Sequence, residues 1–295
     1  MFSSCSEEVE KKEQVMAHSK TITFPEGAVR VAPMGEEDWM FEYPRIDWDV
    51  METFREALDY WKSGEWDMAE DMYRDLIDEY PEFIDVHHHL SLLLDRTSRK
   101  AEAFHLWQAL VEAGMGCLPA QFEMGRDLLP WGVLENRPFL RACHALGLAY
   151  LNRGRIEEAL AIFNDVLALN PGDNQGVRAL LVDCCFLLDH PQGVLALCER
   201  YPDDGMEQLV YGRVLALCQL GRVEEARLAL MDAISFLPLI AKELLKRRHP
   251  KPPGLDPKYV TFGGADQAYY YWNEQGVHWQ NTAGALDLVR ECLGE

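Results

Sequence analysis

Small residues return at a near-constant interval in this 295-residue chain: Ala69, Ala103, Ala159, Gly193 and Ala226 are separated by 34, 56, 34 and 33 residues. The long gap is one period plus an insertion. From Asp47 onward apolar residues recur at spacings of three and four between Gly, Pro and Asp breaks, while β-branched alternation is almost absent. That pattern predicts consecutive amphipathic helices and an all-α body. A helix pair repeated about every 34 residues cannot bury its apolar face alone, so successive pairs must stack to make a core. Residues 142 to 171 align without a gap on 209 to 238, sharing the tract Gly-Arg-x-Glu-Glu-Ala.

In the copy starting at 142, Leu146-Gly147-x2-Tyr150, Ala159-x3-Phe163 and Pro171 resemble the tetratricopeptide repeat, with Cys143 where a Trp is usual. The first copy shows Ala57-x2-Tyr60, Ala69-x3-Tyr73 and Pro81; the second keeps Leu90, Ala103 and Trp107 but lacks the terminal proline; the fourth is degenerate, with Gly193 and Leu197. The resemblance implies about five copies over 47–238, with an insertion near 116–139, forming a right-handed superhelix of antiparallel helix pairs with a concave surface. Tyr60, Tyr73, Trp107, Tyr150 and Phe163 are expected to fill the contacts between neighbours.

Residues 1–46 read as a partly irregular extension. Its first dozen residues are too polar to pack and are expected to be mobile, and a short strand pair is expected about Pro25-Glu26-Gly27. In the insertion, Pro130-Trp131-Gly132 and Asn136-Arg137-Pro138 break any long helix, predicting a packed loop with short helical pieces rather than a catalytic lid. Residues 239–295 read as a linker and a helical cap for the solenoid end. His249-Pro250-Lys251-Pro252-Pro253-Gly254 is a stiff connector, followed by helices from Ala265 to about Glu274 and from about Ala283 to Leu293, with Asn281 or Thr282 as cap. Gly264-x2-Gln267-Ala268-Tyr269, Trp279, Thr282 and Gly284-Ala285-Leu286 resemble the C-terminal end of the suppressor-of-tumorigenicity seven family and its bacterial tetratricopeptide relatives, as do 136–141 and 170–178. That resemblance implies no particular biochemical activity.

A net charge of −21 disfavours nucleic acid and anionic membrane surfaces. No apolar run approaches the roughly 18 residues of a membrane span, and the opening residues lack the sections of a signal peptide, so a cytoplasmic location is expected. Eight cysteines without a CxxC pair read as buried free thiols. There is no P-loop, GxGxxG, HExxH or GxSxG tract, and no cofactor or metal is expected. Two other chemistries have a basis in the sequence. His87-His88-His89 suggests a metal-dependent hydrolase, but adjacent helical residues point about 100° apart and do not converge on one ion. The basic stretch Lys242, Lys246, Arg247, Arg248, Lys251 and Lys258 suggests a phosphate or nucleic-acid contact, against which stands the complementing of a helix C-terminus that would run up to His249-Pro250. Glu157-Glu158 and Glu224-Glu225 are expected to complement helix N-termini.

The repeat resemblance also implies groove-lining positions on the first helix of each pair: Arg141 and His144, Gln175 and Arg178, Gln208 and Tyr211 in the third to fifth copies. Two arginines on neighbouring helices either take a carboxylate or phosphate from a partner, or pair with internal acids such as Asp173. The family's clamp for chaperone tails also needs asparagines, and Leu148 and Val182 stand at those positions. The function expected is therefore a non-catalytic scaffold that binds a protein or peptide segment, with an acidic group as the feature recognised.

Overall fold

The computed structural model describes residues 21–256 and 259–294. The expected mobility of the first dozen residues, and Lys258 of the basic stretch, lie outside the described residues. The chain divides into two compact units, the first ending at Gln175 and the second beginning at Gly176.

The first unit opens with a hairpin, β1 (Arg30–Pro33) and β2 (Trp39–Glu42), paired antiparallel with Val31 opposite Phe41. Three helix pairs follow: α1 (Trp48–Ser63) with α2 (Trp66–Glu79), α3 (Ile84–Arg96) with α4 (Lys100–Met115), and α5 (Arg137–Leu151) with α6 (Ile156–Leu169). The second unit holds α7 (Val177–Leu187) with α8 (Pro191–Arg200), α9 (Glu207–Gln219) with α10 (Val223–Phe236), then α11 (Pro238–Leu244), α12 (Ala265–Asn281) and α13 (Ala285–Leu293). The fold is all-α apart from the hairpin, and its helix pairs are of the expected tetratricopeptide type.

Ala69, Ala103, Ala159 and Ala226 each stand fourth in the second helix of a pair and are fully buried. The reason is contact distance. A Cβ on Gly147 would lie 2.3 Å from the Phe163 ring, and one on Gly193 would lie 2.7 Å from Cys185 Sγ, so the backbones approach only where the side chain is small. The turn within each pair runs through one left-handed residue: Gly64, Gly154 and Gly221 take it freely, whereas Ser98 and Asp189 hold the same sign of φ with a side chain present. Tyr73, Trp107 and Phe163 are buried as expected, while Tyr60 and Tyr150 are half-buried, Tyr150 accepting a hydrogen bond from Gln108 at 3.0 Å. Glu157, Glu158, Glu224 and Glu225 do occupy first helical turns, and Glu158 and Glu225 also pair with Arg155 and Arg222.

Three expectations are corrected. The strand pair does not fold about Pro25: that turn exists, closed by Ala28 N–H on Pro25 O at 3.0 Å, but β1 pairs with β2 instead. The insertion explains why. Trp39 N–H donates to Leu128 O at 2.9 Å, Asn136 Oδ1 accepts from Phe41 N–H at 3.0 Å, and Asn136 Nδ2 donates to Trp39 O at 3.0 Å. The loop thus satisfies backbone groups of β2 that a two-stranded hairpin leaves open. Second, α11 ends at Leu244, so Arg247 and Arg248 stand beyond its last turn and do not complement its dipole. Lys246 pairs with the buried Glu243, and Arg247, Arg248 and Lys251 are exposed. Third, α12 runs on to Asn281 and α13 begins after Gly284 at φ 77°, so neither Asn281 nor Thr282 caps it.

Candidate functional site

The first helices of the pairs carry the polar positions to which the sequence pointed. In the first unit, Asp85 on α3 and Arg141 on α5 are 56 residues apart, the spacing that also separates Ala103 from Ala159, so they share one repeat position on neighbouring helices. Arg141 Nη2 donates to Asp85 Oδ1 at 2.9 Å and Oδ2 at 3.0 Å. Arg141 Nε is buried with no protein partner, although the side chain as a whole is 38% exposed. Burial pushes the Asp85 carboxyl up, but the hydrogen bond and charge of His89, together with the charge of Arg141, hold it below the usual carboxylate range. His89 stands edge-on to Phe54 and Trp61 of α1, with ring centres 5.2 and 6.2 Å away. Trp61 Nε1 and the Tyr73 hydroxyl are buried without protein partners.

The histidine string does not converge. His87 Nε2 faces Pro81 O at 2.8 Å, His88 Nδ1 accepts from Trp107 Nε1 at 3.4 Å, and His89 Nδ1 faces Asp85 O at 2.9 Å. Burial drives His87 and His88 down to about 4 and about 3, so both are neutral packing residues at physiological pH. Among the described residues no group of three His, Cys, Asp or Glu side chains is placed to hold a metal ion.

His144 lies on α5 with its ring 6.2 Å from Phe163, its imidazole lowered by burial against the opposing charge of Asp173. Gln175 Nε2 donates to Leu140 O at 3.2 Å. Arg141, His144 and Gln175 are thereby gathered about α5. Asp85 was missed by the sequence reading, which took His89 only as part of a metal-like string, although overlaying the second copy on the third across the insertion puts Asp85 on Arg141 and His88 on His144.

The second unit treats its equivalents differently. Arg178 Nη1 lies 2.6 Å from Asp204 Oδ2, with the guanidinium 4.6 Å from the centre of the Tyr201 ring, and Asp204 is only 7% exposed. Arg178 belongs to the scaffold rather than to an open groove. Tyr211 is fully buried, its hydroxyl donating to Leu237 O at 2.8 Å, so it is a core residue and not a partner contact. Gln208 Nε2 donates to Glu274 Oε2 of α12 at 3.3 Å. The face these residues were expected to offer is covered by the chain's own tail helix.

Tetratricopeptide repeat family models match residues 54–116 and 140–173. No curated protein matches the chain. Among solved structures, a tetratricopeptide repeat protein from Parabacteroides merdae is similar at 15% identity and a TM-score of 0.46, covering 64% of this chain and 66% of that one. A putative kinesin light chain of Podosopora anserina with nearly identical TPR-like repeats is similar at 14% identity and a TM-score of 0.43, covering 63% of this chain and 94% of that one. No helix among the described residues is long and apolar enough to cross a membrane.

Proposed function

We propose that this chain, whose residues 54–116 and 140–173 match tetratricopeptide repeat models, is a non-catalytic scaffold that holds a segment of a partner protein against the concave face lined by α1, α3 and α5. One observation carries this reading. Arg141 is held by Nη2 on Asp85 and still leaves 38% of its side chain exposed. A guanidinium fixed in this way at a partly desolvated site recognises a carboxylate well, because charge-assisted hydrogen bonds strengthen as water is excluded. His144 and Gln175 flank it as neutral groups, and the half-buried Trp61, edge-on to His89, offers apolar contact beside it. An acidic residue or chain terminus of the partner is the group recognised.

Affinity capture with the full chain, followed by titration calorimetry of the captured protein, tests this. Arg141→Ala is expected to weaken binding by about 10-fold or more, in line with truncating one member of a partly buried charge pair. Arg178→Ala, whose arginine is tied to Asp204, is expected to leave affinity unchanged. Equal binding by wild type and Arg141→Ala overturns the assignment of this face.

A further inference from the structure

The connector that leads from α11 to α12 is confined to extended backbone by its own sequence. Proline fixes its φ and pushes the residue before it out of the helical region, so in His249-Pro250-Lys251-Pro252-Pro253 no residue from His249 to Pro252 is free to coil. Three prolines in five residues select the left-handed polyproline helix, which turns once every three residues. Exposure along the chain follows that turn. His249, Pro252 and Leu255 are half-buried, whereas Arg247, Arg248, Pro250, Lys251, Pro253 and Gly254 are exposed. The run stops at Gly254, where φ is 74°.

One edge of this helix is held by the protein. The His249 ring stacks on Trp272 of α12, with 3.7 Å between centres and 11° between planes, and its Nδ1 lies 2.9 Å from Oε1 of the buried Glu243 of α11. The other two edges face solvent. Pro250 and Pro253, three residues apart, share one of them, and Arg248 and Lys251 share the next. In a chain of net charge −21, Arg247, Arg248 and Lys251 form no ion pair among the described residues.

The chemistry of the exposed edges selects the kind of partner. Proline has no N–H, so positions 250, 252 and 253 offer no backbone donor, and the carbonyls of 248–253 accept no backbone hydrogen bond among the described residues. An anion would therefore meet a row of open carbonyl oxygens beside the cations. An aromatic-walled groove suits both edges: its rings pack on Pro250 and Pro253, its Tyr O–H and Trp N–H groups donate to the carbonyls, and carboxylates beside the rings take Arg248 and Lys251. Because the backbone is stiff and anchored through His249, little conformational freedom is left to lose on binding.

We propose that residues 248–253 are a displayed polyproline ligand for a partner domain whose groove has aromatic walls for Pro250 and Pro253 and carboxylates for Arg248 and Lys251. This proposal is independent of the Arg141 face.

The probes are purified SH3, WW and EVH1 domains with acidic groove flanks, immobilised and titrated with the full chain by biolayer interferometry. At least one is expected to bind saturably. On that domain, Pro250→Ala with Pro253→Ala is expected to weaken binding by ~10-fold or more, and so is Arg248→Glu with Lys251→Glu. Lys242→Glu, which reverses an exposed charge on α11 outside the run, is expected to change affinity by less than ~3-fold. No binding by any of the domains overturns the proposal. So does binding that survives loss of both prolines, or that falls as far with Lys242→Glu as with the Arg248 and Lys251 reversals, since either marks attraction by net charge alone. Should the proline substitutions disturb the fold, the charge reversals decide, because they leave the prolines and the His249 anchor in place. If the chain instead binds heparin and loses it with Arg248→Glu and Lys251→Glu, the segment reads a polyanion and the proposal fails.

Discussion

The first-helix faces of the two units are built from one repeat and put to opposite uses. In the first unit, Arg141 stays half-exposed over Asp85; in the second, Arg178 is folded onto Asp204, and Tyr211 and Gln208 lie under α12. Arg141 and Gln208 hold one repeat position, and His144, Arg178 and Tyr211 another, so equivalent repeat positions do not have equivalent availability. The repeat fixes where a side chain starts on its helix, and elements outside the repeat decide whether it meets solvent. The N-terminal hairpin packs on the 116–136 loop and on the start of α5, with the Phe41 ring 5.1 Å from Phe139, and still leaves Arg141 partly exposed, whereas the tail helix lies directly on α9.

The largest expected effect removes the tail's anchor. Trp279→Ala deletes a fully buried indole and its hydrogen bond to Tyr271, and is expected to cost ~3–5 kcal/mol. Urea denaturation followed by hydrogen exchange should show the loss in α9 to α13, with α1 to α6 keeping their protection. A cost below about 1 kcal/mol would mean that α12 does not cover the second unit in the way described.

pH should separate the two units in opposite directions. His87 and His88, held at about 4 and about 3 against an ordinary 6.5, are bases kept neutral by burial. The unfolded chain takes up protons below pH 6.5 while the folded unit does not, so the stability they confer is full above 6.5 and falls as pH drops toward 4 and 3. The loss is on the order of 3 kcal/mol for His87 and about 5 kcal/mol for His88. Asp183 behaves in the reverse sense. Burial and the neighbouring Glu274 raise its carboxyl from 3.8 to about 7, opposed by the Gln275 hydrogen bond. Its contribution is full below pH 3.8 and is lost as pH rises to about 7. A protonated carboxyl also supplies the donor that Gln275 Oε1, buried without a protein partner, otherwise lacks. Exchange rates corrected for intrinsic pH dependence should show α3 loosening on acidification and α12 loosening as pH rises from 4 to 7. Asp183→Asn should flatten the second trend, and its persistence in that variant would assign it to another group.

Much of this contrast was legible in the sequence, and the limit has a physical cause. The period is carried by Ala69, Ala103, Ala159 and Ala226, whose smallness is a local requirement of helix contact, so the pairs could be placed from spacing alone. Asp85 was available by the same overlay. The partner of β1 was not, because the register of β2 is held by Leu128 and Asn136 across a loop with no period. The seat of α12 was not legible for a similar reason. Its stripe of Gln267, Tyr271, Gln275 and Trp279 announces a buried face, but the choice of α7 and α9 rests on the hydrogen bonds of Asp183, Glu207 and Gln219, scattered over two helices. The polar residues at Gln208 and Tyr211 therefore looked like an open groove when they were the underside of a covered one.

The contact rule itself can be pressed within the first unit. Gly147→Ala adds a Cβ 2.3 Å from the Phe163 ring, which must shift, and is expected to cost ~1–3 kcal/mol by thermal denaturation. Gly154→Ala, at φ 70° with open space around it, tests backbone strain alone and should cost about 1 kcal/mol. If Gly154→Ala proves the more damaging of the two, close packing is not what the repeat's small residues protect.

The smallest expected effect distinguishes the two arginines by stability rather than by binding. Removing Arg178 leaves Asp204 with its helix-start contact, Oδ1 accepting from Met206 N–H at 2.8 Å, but takes away its cation where the acid is only 7% exposed. A buried acid that loses its counter-charge retains the cost of desolvation, so Arg178→Ala should destabilise by ~1–2 kcal/mol. Removing Arg141 leaves Asp85 with His89 as partner at 3.3 Å, and water can reach the space that the partly exposed arginine vacates, so the loss should stay below about 1 kcal/mol. Urea midpoints of the two variants compare these values directly. A scaffold arginine shows itself in stability and a binding arginine in affinity. Should Arg141→Ala prove the more destabilising, Asp85 and Arg141 are a structural clasp, and the first unit's face must recognise its partner through other residues.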